Sequence, residues 1–70
     1  MTQLELLGLA GAGGGIDISV RGFKQIDLLG IAGAGKSKGA KLILRDAGLL
    51  SSLDRLGIAG ANPGNVTFVF

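Results

Sequence analysis

Apolar residues recur along this chain with two alternating spacings. Three ten-residue stretches carry Leu or Ile three or four positions apart, and a short stretch of alternating apolar and polar residues follows each one. The first spacing is typical of a helix and the second of a strand, and their repetition predicts stacked helix–strand units. The longer stretches are QLELLGLAGA (3–12), QIDLLGIAGA (25–34) and SLDRLGIAGA (52–61), and the short ones are IDISV (16–20), AKLIL (40–44) and VTFVF (66–70).

Residues that favour helix ends flank each longer stretch. Thr2–Glu5 and Ser51–Asp54 have the spacing of a capping box, so helices are expected to begin there. Lys24–Asp27 keeps the carboxylate of this pattern but lacks the hydroxyl. Residues that tolerate a left-handed backbone follow each stretch and are expected to end the helices. They are Gly13, Gly35 and Asn62.

The short stretches predict three strands of a sheet that is covered on one side. Strands separated by a helix pair in parallel through a right-handed crossover, so the expected strand order is sequential. In the expected register, Asp17 lies beside Lys41 on the open side. Arg21 and Arg45 then lie side by side at the ends of adjacent strands. The positions taken as equivalent are Ile18, Leu42 and Phe68.

One stripe of each helix combines apolar side chains with two glycines. This stripe is expected to lie against the sheet, because glycine allows two backbones to approach closely. Enlarging one of these glycines is then expected to cost more stability than truncating a leucine. The stripe comprises Leu4, Leu7, Gly8 and Gly11, with counterparts Ile26, Leu29, Gly30 and Gly33 in the second copy and Leu53, Leu56, Gly57 and Gly60 in the third.

The opposite helix face is then expected to be exposed and apolar, and a contiguous apolar ridge usually marks an interface. An alternative is that each helix ends early, near Gly8 in the first copy, and that the next residues fold back into the core. The last strand adds apolar residues at an edge of the sheet, with Phe68 and Phe70 on its inward side. The expected interface residues are Leu6, Leu9, Leu28, Ile31, Ile58, Val66, Phe68 and Phe70.

Together these patterns predict a single α/β domain of three helix–strand units. The expected architecture is a short right-handed α/β solenoid with a three-stranded parallel sheet and all helices on one face. This layout resembles that of leucine-rich-repeat-like α/β solenoids, although the leucine-rich consensus with its Asn ladder is absent. The units span about residues 2–21, 24–45 and 51–70.

Composition points to self-association as the extra source of stability. A domain of 70 residues buries a small core, and such folds usually add disulfides, a metal or a partner chain. The chain has no Cys and no His, and its five carboxylates are scattered, which leaves a homo-oligomer or filament as the expected state. No metal or cofactor is expected.

Charge and hydropathy exclude other partners. The net charge of +2 is too small to indicate nucleic-acid binding, and no aromatic residues are interleaved with basic ones. The longest uncharged stretch is too short for a membrane span, and the N-terminal residues lack the basic region of a signal peptide. The default expectation is therefore a cytoplasmic protein.

One stretch matches the GxxxxGK[ST] motif of P-loop nucleotide hydrolases. In that interpretation residues 26–31 form a strand, backbone amides surround the phosphates, Lys36 reaches the outer phosphates and Ser37 holds magnesium. The other two copies share most of the first six positions, so only Lys36 and Ser37 add to the match. The motif residues are Gly30, Gly35, Lys36 and Ser37.

The residue types favour an interaction protein over an enzyme. Without His, Cys or Tyr, the usual catalytic bases and nucleophiles are missing. Sheet edges without protective residues recruit other chains, so the leading hypothesis is a self-assembling structural or protein-interaction repeat protein. The alternatives are a monomeric module that accepts a partner's strand and the nucleotide or phosphate binder described above.

Overall fold

Three helices alternate with the three strands of one sheet. The structure is a computed structural model that describes residues 3–70. Each longer stretch forms a helix and each short one a strand, as predicted. Thr2, the first residue of an expected capping box, lies outside the described residues. The helices are α1 (Gln3–Gly11), α2 (Gln25–Gly35) and α3 (Ser52–Ala61), and the strands are β1 (Ile16–Ser19), β2 (Leu42–Arg45) and β3 (Val66–Val69).

Helices α2 and α3 begin as the sequence predicts. The Ser51 hydroxyl accepts a hydrogen bond from the backbone N–H of Asp54 at 3.1 Å, which satisfies one of the free amides at the start of α3. At the start of α2, the backbone N–H of Lys24 donates to the carboxylate of Asp27 at 3.1 Å. Because position 24 is a lysine without a hydroxyl, the hydrogen bond accepted by the Asp27 carboxylate is the part of the capping box that was expected here.

The helices end within one residue of the predicted positions, but only Gly13 has the left-handed backbone expected there. Gly13 has φ 88°, the left-handed conformation that ends a helix. Gly35 has φ −83°, and the chain continues into a 3₁₀ turn, Lys36–Lys38, before Gly39 at φ 66° ends it. Asn62 has φ −145°, so it does not adopt a left-handed backbone either.

The sheet is parallel with order β1-β2-β3, as predicted, but its register differs from the expected one by two residues. Asp17 lies opposite Ile43 rather than Lys41. Strand β2 begins at Leu42, two residues later than predicted, and Ala40 and Lys41 lie in the connection between the 3₁₀ turn after α2 and the strand. Because side chains alternate with a period of two, this shift leaves the same residues on the inward side. The row at the amino ends of the strands is Ile16, Leu42 and Val66.

The core lies between the helices and the apolar side of the sheet, and it shows that the predicted helix face is wrong. The Leu and Gly stripe faces outward, with Leu4, Ile26 and Leu53 between 70% and 76% exposed. In α2 the opposite face carries Leu28, Ile31 and Ala32 at helical spacing. This face is buried because it removes more apolar area from water than the stripe does, in which half of the residues are glycine. The largest fully buried side chains are Leu6, Leu28, Ile31, Leu42, Leu44, Ile58 and Asn62.

The prediction that the stripe glycines are tightly packed is also wrong. In the part of the chain that the structure describes, no atom beyond the local helix lies within 4 Å of the place that a Cβ would occupy at Gly8, Gly33 or Gly60. Enlarging these residues therefore meets open space, and a side chain there favours the helix over glycine by up to about 1 kcal/mol.

Candidate interaction surfaces

Strand β3 forms one open edge of the sheet. The backbone N–H of Leu42 donates to the carbonyl of Asn65 at 2.8 Å, which fixes the direction of the groups along β3. In a parallel pair, alternate residues of a strand turn their N–H and C=O groups to the same neighbour. Asn65 and Thr67 therefore face β2, and the backbone groups of Val66 and Phe68 face away from the sheet.

Strand β1 forms the other open edge. The backbone N–H of Ile16 donates to Lys41 O at 2.9 Å, and that of Val20 donates to Arg45 O at 3.0 Å. By the same alternation, the backbone groups of Asp17 face away from β2. Within residues 3–70, no other strand pairs with either edge.

Neither edge carries the usual protection against pairing with another chain. Natural edge strands are often shielded by Pro or by charged side chains. The single Pro of the chain, Pro63, precedes β3, and the β3 sequence VTFV has no charge. On β1 the one charged residue is Asp17, whose carboxylate is already engaged by a neighbour within the sheet.

An ion pair crosses the exposed side of the sheet. Arg45 donates to both carboxylate oxygens of Asp17, at 2.7 and 2.9 Å. The hydrogen bond from Arg45 is the main cause that lowers the pKa of Asp17 below its ordinary value, and the positive charge of Arg45 adds to it. Arg45 lies opposite Ser19 in the observed register, so the expected side-by-side contact with Arg21 does not form.

Arg21 instead lies 3.4 Å from the carboxylate of Asp46. Asp46 directly follows β2 and has φ 60°, a left-handed conformation that Asp tolerates better than most residues. Its carboxylate accepts a hydrogen bond from the Ser19 hydroxyl. This bond is the main cause that lowers the pKa of Asp46, and the Arg21 charge acts in the same direction. The pair ties the end of β1 to the turn after β2.

These two carboxylates predict how stability depends on pH. Their folded-state pKa values are depressed, so the stabilisation is present above the unfolded pKa of about 4 and is lost as pH falls through the folded values. We expect the unfolding midpoint in urea to drop as pH falls below about 4. The Asp17→Asn/Asp46→Asn variant should show a shallower drop. Parallel pH profiles for variant and wild type would contradict the assignment.

The eight residues predicted as an interface lie in three different environments. Leu6, Leu28, Ile31 and Ile58 are at most 1% exposed, so that part of the prediction is wrong: in this fold they are core residues. Leu9 is 40% exposed. The other three residues lie on β3 or directly after it.

On β3 the inward side is only partly covered. Val66 and Phe68 are partly buried against the core. Phe70 follows the strand and is 78% exposed, so its predicted inward position is wrong. Its ring instead lies 5.0 Å from the guanidinium of Arg55.

The P-loop residues do not have the backbone that phosphate binding requires. That motif needs a strand, a loop with free amides and a following helix. Gly30 and Gly35 lie within α2, where helical hydrogen bonds use the amides, and Lys36 and Ser37 begin the 3₁₀ turn. This segment leads out of a helix and toward a strand, the reverse of the required order.

Arg55 holds a loop together in a way that the sequence pattern did not reveal. It occupies the position of the buried Leu6 and Leu28 in the other copies. Its guanidinium donates to the carbonyls of Ala47 and Leu50 at 3.0 and 2.6 Å, on the segment between β2 and α3. The only signal in the sequence is the break from Leu to Arg within the repeated phrase.

Asn62 is a second residue whose structural role the sequence pattern did not predict. It is fully buried, and its side-chain amide donates to the carbonyl of Ala40 at 2.9 Å. Its side-chain oxygen accepts from the amide of Asn65 at 3.0 Å. The residue therefore joins the end of α3 to the start of β2, whereas the sequence suggested only a helix end.

No enclosed ligand site accompanies these surfaces in residues 3–70. A shallow depression of about 200 Å³ lies at the carboxyl ends of the strands, below the usual size of a ligand pocket. Within the same residues, no group of His, Cys, Asp or Glu could hold a metal ion, and no helix has the length and hydropathy to cross a bilayer. The depression is lined by Arg21, Asp46, Gly48, Leu49 and Phe70.

Comparison of the chain with family models, with curated proteins and with solved structures gave no match.

Proposed function

We propose that this chain is a self-assembling structural protein whose copies associate through the open edges of the sheet. One observation carries the proposal: a short parallel sheet has two edges whose backbone groups face outward, and neither edge carries a Pro or an unengaged charge. Such edges are templates for pairing with another chain. Pairing would satisfy backbone groups and extend the apolar core.

The proposal treats the helix–strand units as a short right-handed solenoid. Strand–helix–strand connections between parallel neighbours are right-handed in almost all proteins. In repeat proteins each unit contacts only its neighbours, so an end unit presents the same surface that a next unit would cover. The small core favours this interpretation, because added units would bury more apolar surface.

The first test blocks the edge of β3. The β3-blocked variant, Val66→Pro/Thr67→Glu, removes an outward N–H and fills its place with the proline ring, while a charge is added beside it. The β2–β3 hydrogen bonds remain, because the N–H of Val66 does not face β2. We expect wild-type mass by light scattering to rise with concentration and the β3-blocked variant to remain a monomer.

The control is Val66→Ala/Thr67→Gln, which shortens the same side chain and keeps the size of the glutamate without its charge. It retains the outward N–H and should associate like the wild type. Circular dichroism should give the same spectrum for all three proteins. A wild type that stays monomeric at every concentration would refute the function. A β3-blocked variant that associates as well as its control would show that β3 takes no part in the association.

A further inference from the structure

Each pair of neighbouring helices meets through one repeated contact. A leucine of one helix lies over a glycine of the next. A Cβ placed on Gly30 would be 3.7 Å from the side chain of Leu7, and a Cβ placed on Gly57 would be 3.8 Å from the side chain of Leu29. The two leucines occupy the same position in their copies, and so do the two glycines. The glycine forms a shallow seat for the leucine side chain of the preceding helix.

At each end of the helix layer, only one of the two partners in this contact is present. Leu56 is the third leucine of this series, and it is 71% exposed. Gly8 is the third glycine, and among residues 3–70 no atom beyond its own helical turn lies within 4 Å of its Cβ position. Leu56 therefore projects from the free side of α3, and the seat at Gly8 opens on the free side of α1.

The strands provide a matching pair of surfaces. If the row Ile16, Leu42 and Val66 continued into a second copy, Val66 would lie opposite Ile16 of that copy. Its N–H and C=O face outward, and so do those of Gly15 and Asp17 on the free side of β1. The parallel hydrogen bonds of the sheet can thus continue, and apolar side chains stay on the inward side.

Side-chain charge agrees with this register. On the exposed side, the uncharged Thr67 would lie beside Asp17 of the second copy, and Val69 would lie beside Ser19. The joint therefore brings no like charges together, and Asp17 keeps its pairing with Arg45 of its own chain.

We infer that the copies associate head to tail, with the β3 and α3 end of one chain on the β1 and α1 end of the next. The inference rests on the proposed self-assembly and specifies its geometry. Leu56 would lie over Gly8 of the second copy, as Leu29 lies over Gly57 within one chain. Such a joint uses two different surfaces, so it produces an array or a ring rather than a two-fold dimer.

The test uses a second variant, Gly8→Trp, as the α1-blocked protein. Its side chain would fill the seat for Leu56 of another copy, and no atom of residues 3–70 beyond the local helix lies within 4 Å of a Cβ at this position. The matched control is Gly8→Ala, because a Cβ at the equivalent Gly30 is at ordinary contact distance from Leu7. We expect Gly8→Ala to assemble like the wild type and Gly8→Trp to associate at least tenfold more weakly.

A mixture of the two blocked proteins distinguishes head-to-tail association from two-fold pairing. Each blocked variant alone should be a monomer, because every head-to-tail joint needs both surfaces. An equimolar mixture should form a complex with the mass of two chains and nothing larger, since each protein contributes its one free surface.

Other outcomes overturn the inference in different ways. If the α1-blocked protein alone forms a dimer, copies pair two-fold through β3. If the β3-blocked protein alone does so, they pair through β1. Either result refutes the head-to-tail joint and leaves self-assembly intact. A wild type that is monomeric at every concentration refutes both.

Discussion

Leu28→Ala should destabilise the protein by about 2–5 kcal/mol, a large share of the stability of a domain this small. Leu28 is 1% exposed and belongs to the core between the helices and the sheet. Its truncation loses apolar burial and leaves a cavity that rigid neighbours cannot fill. Urea unfolding followed by circular dichroism measures the effect, at a concentration where the wild type is monomeric.

Ile26→Ala is the matched control, two residues away on the same helix. Ile26 is 70% exposed, so its truncation should change the free energy of unfolding by no more than about 0.5 kcal/mol. The sequence pattern predicted the reverse order for this pair. A larger loss for Ile26→Ala than for Leu28→Ala would mean that α2 is rotated and that its other face packs on the sheet.

Gly35→Ala should destabilise the protein by about 1–3 kcal/mol through overpacking. A Cβ at Gly35 would lie 2.8 Å from the Cβ of Ala40 and 3.3 Å from the side-chain nitrogen of Asn62. Neither neighbour can move freely, because the first is fixed to the backbone at the start of β2 and the second donates to Ala40 O. The backbone of Gly35 is ordinary for a helix, so the effect is steric.

Gly33→Ala is the control for this substitution. No atom lies within 4 Å of a Cβ at Gly33, and the residue is inside α2, so alanine should stabilise the helix by up to about 1 kcal/mol. The two variants make the same chemical change two residues apart and should differ in sign. Thermal unfolding resolves this, since about 1 kcal/mol shifts the midpoint by about 4–8 °C in a domain of this size. Equal shifts would contradict the tight contact at Gly35.

The difference between the two glycines also bears on assembly. Tight packing at Gly35 belongs to the interior of a unit, where α2, β2 and the end of α3 meet. The open glycines lie on the outer side of the helices, and Gly8 is the one at the position that contacts a leucine of the preceding helix in the other copies. In the proposed assembly, a small residue is therefore required at position 8 only where Leu56 of a second copy packs on α1.

By itself the sequence determined the elements and their order. Hydrophobic spacing, the cap at Ser51 and the left-handed Gly13 are local signals, and they place the helices and strands within a few residues of where they lie. The apolar side of each strand was also predictable, because alternation with a period of two survives a register shift of two residues.

Only the tertiary structure decided which helix face is buried and which residues hold the units together. Leu6 and Leu4 differ little in local propensity, and the choice between them depends on the total apolar area that each face can bury against the sheet. The loop contacts of Arg55 and the buried amide of Asn62 join segments that are distant in sequence. Such contacts depend on where the backbone carbonyls of other elements lie, and no local pattern encodes that.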